Sequence, residues 1–159
     1  MAIVINGTGT ITGISATDGL SSPQTGSVLQ VVTGTTATQT STTSTTPVAT
    51  GLTASITPKF ATSKIFVVAS VPTYVNGAAN TTAYYGMYRN STNIMSPQGT
   101  RQETSGTSLM ASGALSVLDS PTTTSSTSYT VYYWVQSGVT AYMCVGSSFA
   151  TITLLEIAA

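Results

Sequence analysis

Asp18, Glu103, Asp119 and Glu156 are the only carboxylates in this chain. Two such groups flanking a glycosidic bond are what glycoside hydrolysis requires, one as acid and the other as base or nucleophile. Their spacing in the sequence neither forbids nor favours such a pair, within one chain or between chains. Glu103 follows Arg101 in the polar run Thr100-Arg101-Gln102-Glu103-Thr104, which predicts an exposed ion pair rather than a catalytic acid. The chain holds no histidine, so Ser–His–Asp and Cys–His nucleophile systems are excluded, as is every histidine-containing zinc site. Cys144 sits in the apolar stretch Ala141-Tyr142-Met143-Cys144-Val145 and reads as a small buried hydrophobe with no base to activate it. The run Asn6-Gly7-Thr8-Gly9-Thr10-Ile11-Thr12-Gly13 has the glycines of a phosphate loop, but no lysine follows and no helix opens after it. The expectation is a protein that is not an enzyme and carries neither cofactor nor metal.

Aromatic side chains are the remaining candidates for chemistry. Tyr84, Tyr85, Tyr88, Tyr129, Tyr132, Tyr133, Trp134 and Tyr142 could build a saccharide-stacking platform, or fill a core and a subunit interface. Strand alternation places Tyr129, Val131, Tyr133 and Val135 on one face and Tyr132 and Trp134 on the other. Tyr129, Tyr133, Trp134 and Tyr142 are therefore expected in the core or at a subunit interface.

The elements that position these residues are strands. Val28-Leu29-Gln30-Val31-Val32 is one, and Leu52-Thr53-Ala54-Ser55-Ile56-Thr57 alternates apolar with polar as a half-buried strand does. Lys64-Ile65-Phe66-Val67-Val68-Ala69-Ser70-Val71 is a continuous apolar run before Pro72, the pattern of a central strand covered on both faces. Tyr84-Tyr85-Gly86-Met87-Tyr88-Arg89, a turn at Asn90-Ser91-Thr92-Asn93, and Ile94-Met95 predict a strand, turn and returning strand. Further strands are expected over 109–118, 129–136, 140–145 and 150–156, with Ser137-Gly138-Val139 joining two of them as a hairpin. The Thr/Ser tracts 35–46 and 121–128 read as edge strand or ordered loop. No stretch carries helical periodicity, so about eight to ten short strands remain, the signature of a β-sandwich.

Residues 1–29 differ in composition from the rest of the chain. Sparse isoleucines stand among Gly, Thr and Ser, followed by the turn signals Asp18-Gly19 and Ser22-Pro23-Gln24-Thr25-Gly26. This segment is read as an extended arm whose Ile3, Ile5, Ile11 and Ile14 dock on another subunit or surface. Residues 30–159 form the sandwich. Hydrophobic residues make up 41% of the chain, enough for a packed core despite only four acidic and four basic side chains. Lys59, Lys64, Arg89 and Arg101 are scattered and the net charge is zero, so no basic footprint for nucleic acid exists. Zero net charge weakens colloidal repulsion, which suits a subunit whose surfaces are taken up by neighbours. The start Met1-Ala2-Ile3-Val4-Ile5-Asn6-Gly7 lacks a basic region and a long apolar core, and no run approaches the roughly 20 apolar residues of a membrane span. Synthesis as a soluble cytosolic product, without membrane insertion, is expected.

The blocks Gly26-Ser27-Val28-Leu29-Gln30-Val31-Val32, Thr50-Gly51-Leu52-Thr53-Ala54-Ser55-Ile56-Thr57-Pro58, Thr62-Ser63-Lys64-Ile65-Phe66-Val67-Val68 and Ile152-Thr153-Leu154-Leu155-Glu156-Ile157 resemble the β-rich virion surface proteins of tailed bacteriophages. The resemblance covers most of residues 27–157, and Gly9-Thr10-Ile11-Thr12-Gly13-Ile14-Ser15 is similar to tail-fibre segments. It implies an all-β, jelly-roll-like antiparallel β-sandwich behind an extended N-terminal arm, assembled as a homotrimer on the virion surface after synthesis in the host cytoplasm. It implies a non-enzymatic capsid decoration, or cement, protein whose partners are its own copies and the major capsid protein or tail proteins. The alternative is a short tail fibre or receptor-binding tip that contacts host cell-surface saccharide.

Overall fold

The computed structural model describes residues 4–5, 11–12 and 23–159. Near the N-terminus a pair of short strands, β1 (Val4–Ile5) and β2 (Ile11–Thr12), runs antiparallel, with Ile5 opposite Ile11. Ile3 and Ile14 lie outside the described residues, as does Asp18.

Eleven further strands come after them in chain order. They are β3 (Val28–Thr36), β4 (Thr40–Thr42), β5 (Val48–Ile56), β6 (Lys64–Asn76), β7 (Thr82–Arg89) and β8 (Thr92–Asn93). Then come β9 (Thr100–Glu103), β10 (Ser108–Asp119), β11 (Thr127–Val135), β12 (Thr140–Met143) and β13 (Ala150–Ile157), with a 3-10 turn at Val145–Ser147 before the last. They form an all-β antiparallel sandwich of a six-stranded and a five-stranded sheet.

The axis of the six-stranded sheet is β6. One side of it pairs with β10 along nearly its whole length, from Ile65↔Asp119 to Asn76↔Ser108. The other side is shared, first by β13 and then by β12; β13 carries β3 beyond it and β12 carries β4. In the five-stranded sheet β11 lies between β5 and β7, and the far side of β7 is shared by β9 and β8. The core fills the space between, because alternate residues of each strand point inward. Leu52 and Ile56, Tyr85 and Met87, and Tyr129, Val131 and Tyr133 come from one sheet; Ile65, Val67, Val71, Ile152 and Leu154 come from the other. Each such aliphatic side chain contributes about 2 kcal/mol by leaving water.

Three sequence expectations need correcting. Ser137-Gly138-Val139 does not close a hairpin: β11 pairs with β5 and β7, whereas β12 pairs with β4 and β6 in the opposite sheet. The link is a corner between sheets, with Gly138 at φ +82° and Val139 buried in the core, and a short glycine-bearing segment serves either geometry. Pro72 does not end its strand. Cys144 N–H donates to the Pro72 carbonyl, so that flank of Pro72 faces the gap between β13 and β12, where its missing N–H breaks no ladder bond. Nor is β6 covered on both faces, since Val68 is 37% exposed on the outer one. A turn does follow β7, at Asn90-Ser91 with Asn90 left-handed at φ 52°, but it is shorter than expected: the returning strand is Thr92–Asn93, with Tyr88 opposite Asn93 and Arg89 opposite Thr92, and Ile94-Met95 lies beyond it. The sandwich begins at β3, with Val28, two residues before the boundary expected at residue 30.

Candidate binding and assembly surfaces

Each described carboxylate is held by the protein itself. Glu103 ion-pairs with Arg101 at the surface, as the sequence predicts. Asp119 and Glu156 point inward from one row of the six-stranded sheet, Asp119↔Ile65↔Glu156, two strand spacings or about 10 Å apart. Arg89 Nη1 donates to both Asp119 oxygens at 2.9 Å, and the Tyr129 hydroxyl donates to Asp119 Oδ2 at 2.7 Å. Burial, then the hydrogen bond to Asp119 and its negative charge, push the Tyr129 hydroxyl far above its ordinary pKa, so it stays a donor. Glu156 is fully buried and accepts from Gln30 Nε2 at 2.6 Å, Lys59 N at 2.7 Å and Phe60 N at 3.4 Å. Burial raises its pKa, but the neighbouring Ser63 side chain and the hydrogen bonds from Gln30, Lys59 and Phe60 together outweigh that and hold it below the usual glutamate value. These carboxylates act as clasps. Among the described residues, no three His, Cys, Asp or Glu side chains come together as a metal site.

Cys144 is buried with its backbone in the left-handed region, φ 58°. Burial raises its thiol pKa against a backbone hydrogen bond at Ala150.

The aromatic residues divide by face. Tyr85, Tyr129 and Tyr133 point inward and are buried. Tyr84, Tyr88, Tyr132 and Trp134 occupy outward positions of β7 and β11. The rings of Tyr84 and Trp134 are stacked with centroids 5.6 Å apart and 13° between planes; Tyr88 and Tyr132 are stacked at 4.1 Å and 26°. Trp134 is only 8% exposed although it faces outward, while the three tyrosines are half-buried. Of the four expected core or interface aromatics, Tyr129 and Tyr133 are therefore core, and Trp134 belongs to an outward strip. Tyr142 lies on the outer face of the other sheet, beside Tyr74 at 5.5 Å.

That outer face of the six-stranded sheet is apolar at both ends. In register across four strands stand Val31, Leu155, Phe66 and Leu118, with Val31 57% and Leu118 53% exposed. A second row runs Tyr142, Tyr74, Met110, and Met110 is 69% exposed. Between the rows the outward residues are mostly Thr and Ser: Thr33, Thr153, Val68 and Ser116, then Thr35, Thr151, Ser70 and Ala114. The sequence reading missed Val31, Phe66, Leu118 and Leu155 as surface residues. Their signal was the apolar outward positions of strands whose alternate residues already fill the core. Among the described residues no helix is long and apolar enough to cross a membrane. No protein-family model matches this chain, and no curated protein matches it.

Proposed function

We propose that this chain is a non-enzymatic structural protein of a tailed phage particle, a homotrimer that decorates and stabilises the capsid at the virion surface. One observation carries the reading: the apolar row Val31, Leu155, Phe66, Leu118, which a single copy leaves partly in solvent on the outer sheet face. Exposed apolar area of this continuity marks a protein interface, and a zero net charge sets up no repulsion between copies. The sandwich, jelly-roll-like in this reading, trimerises through this face. The arm, through Ile3, Ile5, Ile11 and Ile14, grips neighbouring capsid or tail subunits. Contacts burying about 1,600 Å² in total would stabilise the particle by mass action, with no reaction catalysed.

A short tail fibre or receptor-binding tip is the second reading, favoured by the outward strip of Tyr84, Tyr88, Tyr132 and Trp134. Gold labelling of the chain on intact particles, viewed by electron microscopy, separates the two. Label spread over the head supports decoration; label confined to the tail overturns it in favour of the fibre.

A further inference from the structure

The two outer faces of the sandwich are chemically unlike. The six-stranded sheet presents one largely aliphatic row at one end, Thr and Ser across its middle and the pair Tyr74 and Tyr142 at the other end, whereas the five-stranded sheet carries a strip of four aromatic rings, three of them with hydroxyl ends, among polar side chains. In register across the latter stand Arg101 of β9, Tyr84 of β7 and Trp134 of β11; farther along, Asn93 of β8, Tyr88 of β7 and Thr130 of β11. Gly86 lies between Tyr84 and Tyr88 on the same face, opposite Tyr132. A Cβ at Gly86 would stand 3.2 Å from Cη2 and Cζ3 of Trp134 and 3.6 Å from the Tyr88 ring, so both rings lean over the glycine. Glycine here lets the rings form one continuous strip.

We propose that this strip binds a neutral saccharide chain. Tyr84, Tyr88 and Tyr132 stack on the apolar faces of successive sugar rings, with Trp134 beneath as support. Arg101, Glu103 and Asn93 along one border hydrogen-bond the ring hydroxyls. Three features select this ligand. Half-exposed tyrosines offer an apolar body and a polar tip, which suits a molecule with apolar ring faces and hydroxyl edges. Arg101 and Glu103 pair with each other, so the border carries donors and acceptors without net charge and matches a neutral ligand rather than a polyanion. The rings stand on paired strands rather than loops, which fixes their spacing before the ligand arrives. The site needs neither the trimer nor any particular place on the particle, because every residue in it comes from one chain.

Trp134 is the only tryptophan of the chain, so its fluorescence reports on this strip alone. The test titrates the full chain with cellohexaose, maltohexaose and yeast mannan, and with alginate as an acidic comparison. A saturable emission change is expected with at least one neutral glycan, and its affinity should fall about tenfold or more in Tyr84→Ala and in Arg101→Ala. Arg101 lies on an edge strand with its side chain half in solvent, so that variant keeps the test decisive if Tyr84→Ala misfolds. The proposal is overturned by no saturable change with any of the three neutral glycans, by alginate binding more tightly, or by a response that survives Arg101→Ala. Emission that changes with protein concentration alone would also overturn it, by making the strip a contact between copies. Sedimentation of the same samples keeps this result separate from the fate of the trimer.

Discussion

Glu156 is a buried anion whose hydrogen-bond partners are the Gln30 amide and the backbone N–H groups of Lys59 and Phe60 rather than a cation; the Lys59 ammonium donates instead to the Leu29 carbonyl at 3.0 Å. A carboxylate held below its ordinary pKa of 4.5 stabilises the fold at neutral pH, and that stability is lost as pH falls through the lower folded value. Acid titration followed by circular dichroism should therefore show unfolding that begins below about pH 4.5 and is blunted in Glu156→Gln. Glu156→Ala removes the acceptor of the Lys59 and Phe60 N–H groups, while Gln30 Nε2 keeps the Thr57 carbonyl at 2.8 Å, and should cost about 2 kcal/mol in urea titration at pH 7. A second test is Gly34, where an added Cβ would fall 2.2 Å from the Thr53 carbonyl as β3 passes close to β5. Gly34→Ala should cost at least about 2 kcal/mol by the same measurement. The separation of Tyr129 and Tyr133 from Tyr132 and Trp134 onto opposite faces, and the surface pair Arg101 and Glu103, were legible in the sequence, because period-two alternation and a two-residue spacing are local; which face lies inward was not. The role of Glu156 was not, since its partners Gln30, Lys59 and Phe60 stand 126, 97 and 96 positions away.

Between elements, the Asp119 clasp ties the end of β10 in one sheet to Arg89 of β7 and Tyr129 of β11 in the other. Asp119→Ala should lower stability by about 2 kcal/mol or more, and Tyr129→Phe by about 1 kcal/mol, with thermal unfolding as the readout. The existence of most strands was legible, because each long one has an apolar face of its own. Their partnership was not: β11 and β12 are neighbours in sequence and lie in different sheets, and nothing in Ser137-Gly138-Val139 reports which way the chain turns. The four-residue β9 was missed because its one inward position with a large side chain is the polar Gln102, which accepts from the Thr73 hydroxyl at 2.7 Å. Pro72 misled for the opposite reason: a residue that breaks most ladders is harmless opposite the gap between β13 and β12.

For the whole molecule, the proposed assembly through the six-stranded sheet would make thermal stability rise with protein concentration, because copies would bind the folded chain and not the unfolded one. Phe66→Asp should abolish that dependence and give a single-chain mass on sedimentation; an unchanged oligomer would remove the sheet face from the interface. The same face could not be read from composition, which counts apolar residues without saying which side of a strand they occupy. The placement of β13 carries a consequence in time. This strand lies between β3 and β6, and it comes after every other described strand in the chain. β3 pairs with nothing else in the sandwich, so the first strand of the sandwich must wait for the last before it gains its ladder. Contacts of such long sequence separation fold slowly, and until they form β3 and the β13-facing side of β6 remain unpaired edges. Newly made chains should thus be most vulnerable to aggregation and proteolysis during synthesis, and should become resistant in one step when Ala150–Ile157 clears the ribosome.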